Sequence, residues 1–157
     1  MASWSQLEAE APELSALARS VFDRHIHKTM ATLRRDGSPR ISGTELIFKD
    51  GELWLGSMAG AVKALDLRRD PRLAIHSASE EPPGREGDAK FAGRAEEIED
   101  EERKRAIFGP DYSGGGSHLF RVDVGELVVT RVAGDPPDHL VITSWHEGRG
   151  LSELKRK

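Results

Sequence analysis

Apolar and polar residues alternate along most of this 157-residue chain, and short turn-rich breaks separate the alternating runs. Lys28 to Arg35 (KTMATLRR) alternates, Asp36-Gly37-Ser38-Pro39 interrupts it, and Arg40 to Lys49 (RISGTELIFK) resumes it, which predicts a β-hairpin. A second turn at Lys49-Asp50-Gly51 leads into Glu52 to Leu55, so three strands follow one another as a meander. Further strand patterns cover Arg72 to Ser77, Asp88 to Ile98, His118 to Val132 and Leu140 to Trp145. Gly93 marks a bulge or sharp bend in the second of these, and Gly125 is where the third would divide into a hairpin. Helical spacing occurs three times, at Ala11 to Phe22 (Leu14, Leu17, Ala18 and Val21 on one face), Ala61 to Arg69 and Asp100 to Phe108. Residues 1–10 read as a frayed N-terminus, Ala78 to Gly87 as a mobile Pro/Gly loop and residues 146–157 as a basic tail. Six or seven short strands with frequent turns predict a single, mainly β domain: a closed antiparallel barrel with helices packed outside.

The stretch from Gly51 to Ile75 (GELWLGSMAGAVKALDLRRDPRLAI) organises the rest. Its strand runs into a small-residue turn, Gly56 to Gly60, that opens a helix. Such a helix start leaves backbone N–H groups unpaired at the positive end of the dipole, which suits an anion such as a phosphate. Lys63 stands in the first turn of that helix, where a cation works against the dipole; a bound phosphate would account for it.

Composition narrows the classes. The chain has no cysteine, which removes disulfides, thiolate metal sites and a cysteine nucleophile. Its formal net charge is −4, with the two signs interspersed, whereas a nucleic-acid binder concentrates basic residues on one face. It shows neither a signal-peptide pattern nor an apolar run long enough to span a membrane, so a soluble, cytoplasmic protein is expected.

Other motifs carry less. His25 and His27 share one side of an extended segment with no third ligand nearby, so polar surface residues are the simpler reading than a metal site. The three glycines of Asp111 to Ser117 (DYSGGGS) are not followed by Lys-Ser/Thr and a helix, so they read as a connection and not as a Walker loop. No Gly-x-Ser-x-Gly or His-Glu-x-x-His occurs, which fits an enzyme whose chemistry belongs to a cofactor.

With these elements in order, the chain resembles the pyridoxamine 5'-phosphate oxidase-like split-barrel family of flavin and deazaflavin oxidoreductases. ATLRRDGSPRI (Ala31 to Ile41), LWLGSMAGAVKALDLRRDPRLAI (Leu53 to Ile75), FAGRAEEI (Phe91 to Ile98) and GGGSHLFRVDV (Gly114 to Val124) carry the resemblance. It implies a homodimer of split antiparallel barrels holding FMN or the deazaflavin coenzyme F(420) in a groove at each subunit boundary. By position, Arg40, Ser42 and Thr44 would line the groove, Gly56, Ser57 and Met58 would supply turn contacts, and Lys63 would meet the phosphate. Each has a plainer alternative: a solvent-facing lysine for Lys63, a barrel-edge charge for Arg40, whose fate Ser42 and Thr44 share, and a core filler for Met58.

Two departures weigh against vitamin B6 oxidation proper. Val62 stands where pyridoxamine phosphate oxidases carry an arginine beside the helix lysine, and the end reads TSWHEGRGLSELKRK in place of an Arg-Leu-His-type substrate clamp. The tail looks more like the actinobacterial branch with several F(420) users. Trp145, His146 and Arg149 would then cover the cofactor ring, or Trp145 would instead close the barrel core. The expected activity is hydride transfer to or from a small organic substrate, with Tyr112 and His118 as candidate acids. The alternatives are a non-catalytic FMN or deazaflavin carrier or sensor, a pyridoxamine 5'-phosphate oxidase proper, and a protein that keeps the fold without the ligand.

Overall fold

The computed structural model describes residues 1–80 and 87–157. Part of the loop expected to be mobile, 81–86, lies outside the described residues. The elements run α1 (Trp4–Glu10), α2 (Pro12–Asp23), β1 (Lys28–Leu33), β2 (Pro39–Thr44), β3 (Ile47–Lys49), β4 (Glu52–Ser57), α3 (Val62–Arg69), β5 (Arg72–His76), β6 (Asp88–Ile98), α4 (Glu101–Phe108), β7 (His118–Gly134), β8 (Pro137–His146) and β9 (Gly150–Arg156).

The sheet is antiparallel, in the order β2-β1-β5-β6-β7-β4-β3, with β8 on β7 and β9 on β8. The 17-residue β7 is its spine. Its first half lies between β4 and β6, and its second half between β6 and β8, so the sheet forks along this strand. This is a split antiparallel β-barrel. The bulge falls where the sequence placed it, between Ala92 and Gly93. A Cβ on Gly93 would lie 2.1 Å from the Asp123 carbonyl oxygen, so only glycine lets the strands approach there. Gly125 does not divide β7, because its neighbours keep their ladders on both sides.

The expected meander is not formed. Arg40 to Lys49 breaks at Glu45-Leu46: β2 stays on β1, and β3 crosses to β4 at the far end of the sheet. The two ends of the sheet are thus joined by two residues, and among the described residues no ladder joins β2 to β3 or β4. That seam is where the barrel is open.

Two expectations for the termini are corrected. Residues 1–10 are not frayed, because Ser3 and Gln6 form a reciprocal capping box and α1 buries Trp4 and Leu7. Ala2 exchanges two backbone hydrogen bonds with Val124, at 2.9 and 2.8 Å. Residues 146–157, expected only as a basic tail, contain a strand, since Gly150–Arg156 pairs with β8 from His146 to Leu140. The core joins both layers: Leu14, Ala18, Val21 and Phe22 of α2 pack on the inner face of the sheet, with Phe22 edge-on to Phe91 at 5.7 Å. Among the described residues no helix is long and apolar enough to cross a membrane.

Candidate functional site

A groove of about 700 Å³ opens at the seam between β2 and β3. Thr44 and Glu45 come from the end of β2, Ile47 from β3, Gly56 and Ser57 from the end of β4, Met58, Ala61 and Lys63 from the turn and start of α3, and Phe108, Asp111, Tyr112 and Ser117 from α4 and the loop after it. One wall is aromatic, because Phe108 and Tyr112 stand 5.1 Å apart between ring centroids. Gly56 makes that wall possible: a Cβ there would fall 2.6 Å from Phe108 Cε1.

Lys63 lies at the mouth and reaches across the seam, its Nζ donating to the Gly43 carbonyl at 2.5 Å. Partial burial lowers the pKa of its ammonium, and the Glu45 carboxylate opposes that shift. The hydrogen bond of this partly desolvated cation goes to a neutral carbonyl, with only the charge of Glu45 favouring it, so an anion in the groove would stabilise it further. Ser57 lines the same groove, and its buried Oγ has no hydrogen-bond partner among the described residues. Met58 is 82% exposed, so it is groove wall and not core filler.

The turn carrying these residues is held from behind. Ala61 N–H closes it on the Met58 carbonyl at 3.1 Å, and Gly60 N–H donates to Nε2 of the buried His118 at 3.2 Å. His118 Nδ1 lies 2.7 Å from Glu97 Oε1, and Arg68 of α3 holds both Glu97 oxygens. His118 is therefore behind the groove and not in it, which removes it from the candidate acids. Tyr112 does line the groove, and its hydroxyl donates to Glu101 at 3.1 Å.

Arg40, Ser42 and Thr44 share one face of β2 but reach different places. Thr44 lines the groove; Ser42 does not, and its buried Oγ has no partner among the described residues. Arg40 is turned away to α3, where its Nε donates to Asp66 at 2.6 Å. Arg69 and Thr32 donate to the same carboxylate, each at 2.9 Å. Burial pushes the Asp66 carboxyl up, but these three donors outweigh it and hold the pKa down at about 2. Arg40 faces a separate hollow with Arg34, Arg35 and Arg69, so the structure does not bring it to Lys63.

The pyridoxamine 5'-phosphate oxidase family model matches residues 14–134, well over half of the chain. The chain belongs to that family. Solved structures of like fold include a pyridoxamine 5'-phosphate oxidase-related, FMN-binding protein from Nostoc punctiforme (TM-score 0.61, 12% identity, covering 96% of this chain and 97% of that one). A Clostridium acetobutylicum protein related to general stress protein 26, of the pyridoxinephosphate oxidase family, superposes with TM-score 0.57 at 10% identity over 98% of this chain and 95% of its own. A heme-binding protein from Mycobacterium smegmatis gives TM-score 0.57 at 16% identity, over 92% and 88%. A comparison with curated proteins gave no match.

Against the residues implied by membership of the pyridoxamine 5'-phosphate oxidase family, Trp145 is misplaced. It is wholly buried in the core, and its indole N–H donates to Glu10 at 3.0 Å, so it closes the barrel and covers no groove. His146 pairs with Glu126 at 2.9 Å on the same strand ladder, and neither it nor Arg149 lines the groove. His25 meets Glu80 at 3.0 Å, while His27 stands at the groove rim 3.7 Å from Glu45. Among the described residues no cluster of three His, Asp or Glu is arranged to hold a metal ion. Sequence reasoning missed Glu45, Ile47, Phe108 and Asp111. The one signal for Phe108 was Gly56, a strand glycine whose absent side chain implies something packed against it.

Proposed function

We propose that this chain is a flavin-dependent oxidoreductase that holds FMN, or the deazaflavin coenzyme F(420), in the seam groove and acts on a small organic substrate. The observation that carries this reading is the partly desolvated Lys63 ammonium in the groove, which it shares with a buried Ser57 hydroxyl unpartnered among the described residues and with a small-residue turn. Family membership and the FMN-binding relative of like fold support the choice of a flavin. Lys63 would take the phosphate, Ser57 would hydrogen-bond it or the chain leading to it, and Thr44, Met58, Phe108 and Tyr112 would flank the ring system. When bound, the cofactor supplies the hydride chemistry, and the protein supplies placement and exclusion of water. Val62 beside Lys63 supports a substrate other than pyridoxamine phosphate.

A second copy of the chain completes the assembly in this reading. Ile41, Ala31, Ala74 and Ala92 sit opposite one another across β2, β1, β5 and β6 and give the outer face an apolar row, with Ile41 68% exposed. Such a row on neighbouring strands is suited to a two-fold, self-complementary contact.

The test is an absorption spectrum of the purified protein before and after adding FMN, deazaflavin or hemin. A flavin or deazaflavin band that copurifies, or that shifts on stoichiometric addition, is expected. A Soret band with hemin and no response to either flavin would overturn the reading. Reduction of bound cofactor followed by reoxidation with candidate acceptors separates an enzyme from a carrier.

A further inference from the structure

We propose that His118 is a positioning residue: as a neutral imidazole protonated on Nδ1, it fixes the Ser57 to Ala61 turn from behind and so sets the anion-binding edge of the groove. The ligand's identity rests on the cofactor reading above, whereas the hydrogen-bond assignment does not.

The tautomer follows from the partners. Gly60 N–H can only donate, so the Nε2 it meets at 3.2 Å must be the unprotonated nitrogen. The ring proton is then on Nδ1, aimed at Glu97 Oε1 2.7 Å away. Arg68 NH2 also lies 3.5 Å from Nδ1, but two donors face each other there, and the guanidinium is already engaged by both Glu97 oxygens. The ring is 6% exposed and stacked on Phe120, with centroids 6.3 Å apart, so it has little freedom to turn. His118 is the first residue of β7 and sits directly opposite Ser57 in the β4–β7 ladder.

The result is a continuous chain, Gly60 to His118 to Glu97 to Arg68, that begins at the turn and ends on α3, the helix that carries Lys63. It ties the two halves of the proposed anion site to the barrel strands β6 and β7. Gly60 has φ +72°, a left-handed conformation that glycine adopts freely, so its own backbone preference does not lock the turn. The Ala61 to Met58 bond closes the turn on itself, and the hydrogen bond to His118 anchors it to the barrel. A turn that must be ordered at the moment of binding would spend part of the ligand's interaction energy on that ordering.

The experiment compares wild type with His118→Phe, which keeps a ring on Phe120 but removes both nitrogens, and His118→Gln, whose Oε1 offers an acceptor toward Gly60. FMN and riboflavin affinities are measured by flavin fluorescence, and the His118 ring nitrogens and Gly60 amide by 15N NMR of wild type without ligand. Wild type should show an unprotonated Nε2 and a hydrogen-bonded Gly60 amide. His118→Phe should weaken FMN about tenfold while leaving riboflavin nearly unchanged, and His118→Gln should recover most of the loss. A protonated Nε2, unchanged FMN affinity in His118→Phe, equal weakening of both flavins, or no recovery with glutamine would each overturn the inference. If His118→Phe does not fold, the wild-type NMR assignment and the glutamine variant decide it. Failure of wild type to bind FMN, or F(420) added in the same titration, would sink the cofactor reading, while the NMR spectra would still decide the His118 network.

Discussion

Gly56 shows how a single missing side chain shapes the groove. Alanine at this position would push against the Phe108 ring, which forms the aromatic wall. Gly56→Ala is expected to cost about 1–3 kcal/mol of stability by overpacking and to weaken flavin binding, read by chemical denaturation and fluorescence titration on the same sample. Asp66 is a second such residue. Its carboxylate, held at about 2 against roughly 3.9 in an unfolded chain, stabilises the fold fully above about pH 4, and that contribution is lost as pH falls through 2. Asp66→Asn should therefore lose about 3 kcal/mol at neutral pH and show a flatter stability profile between pH 4 and 2 than wild type. An identical profile in the two proteins would mean that the three donors do not depress this carboxyl. At this scale, the most legible part of the site was the contiguous part, with Thr44 and Tyr112 the two outlying residues that also reach the groove. Gly56, Ser57, Met58 and Lys63 fall within eight residues, and one strand-turn-helix pattern places them together. Arg40 and Trp145 were assigned across the fold. Arg40 went astray because Asp66, an unremarkable helix carboxylate in sequence, claims it; Trp145 did so because burial against Glu10 cannot be read from the end of a strand.

Elements with one strong periodicity were read correctly: β6 matches its expected span, and α2, α3, α4 and β5 differ by a residue at one or both ends. Three misreadings have separate physical causes. α1 is seven residues long with a single buried pair, so its signal lay in the Ser3/Gln6 box and not in an apolar stripe. Ser3→Ala should lower stability by about 1 kcal/mol, measured by urea denaturation; no change would mean that the cap is idle. β9 is exposed along nearly its whole length, so it has no inward apolar alternation to announce it. The break at Glu45-Leu46 carries no glycine or proline, and the strand pattern continues through it. Tertiary pairing ends β2 there, since β3 finds its partner in β4. That one unannounced break creates the groove.

For the whole molecule, the fork along β7 and the open seam at β2 and β3 make a barrel with a built-in cleft, and the helix that closes one side of the cleft presents its only lysine there. The apolar row on the outer face is where a second copy would dock. Sedimentation velocity should show a dimer, and replacing both Ile41 and Ala74 with glutamate should give a folded monomer with weaker flavin binding; a monomeric wild type would contradict the dimer proposal. The central claim is that Lys63 takes the cofactor phosphate. Titrating wild type and Lys63→Ala with FMN and with riboflavin, which lacks only the phosphate, tests it directly. Wild type should prefer FMN by roughly ten- to a hundredfold or more, and Lys63→Ala should lose most of that preference, the worth of one charge-assisted hydrogen bond, leaving what Ser57 and the turn supply. Equal affinity of wild type for both flavins, or a preference for FMN undiminished by the loss of Lys63, would contradict the account.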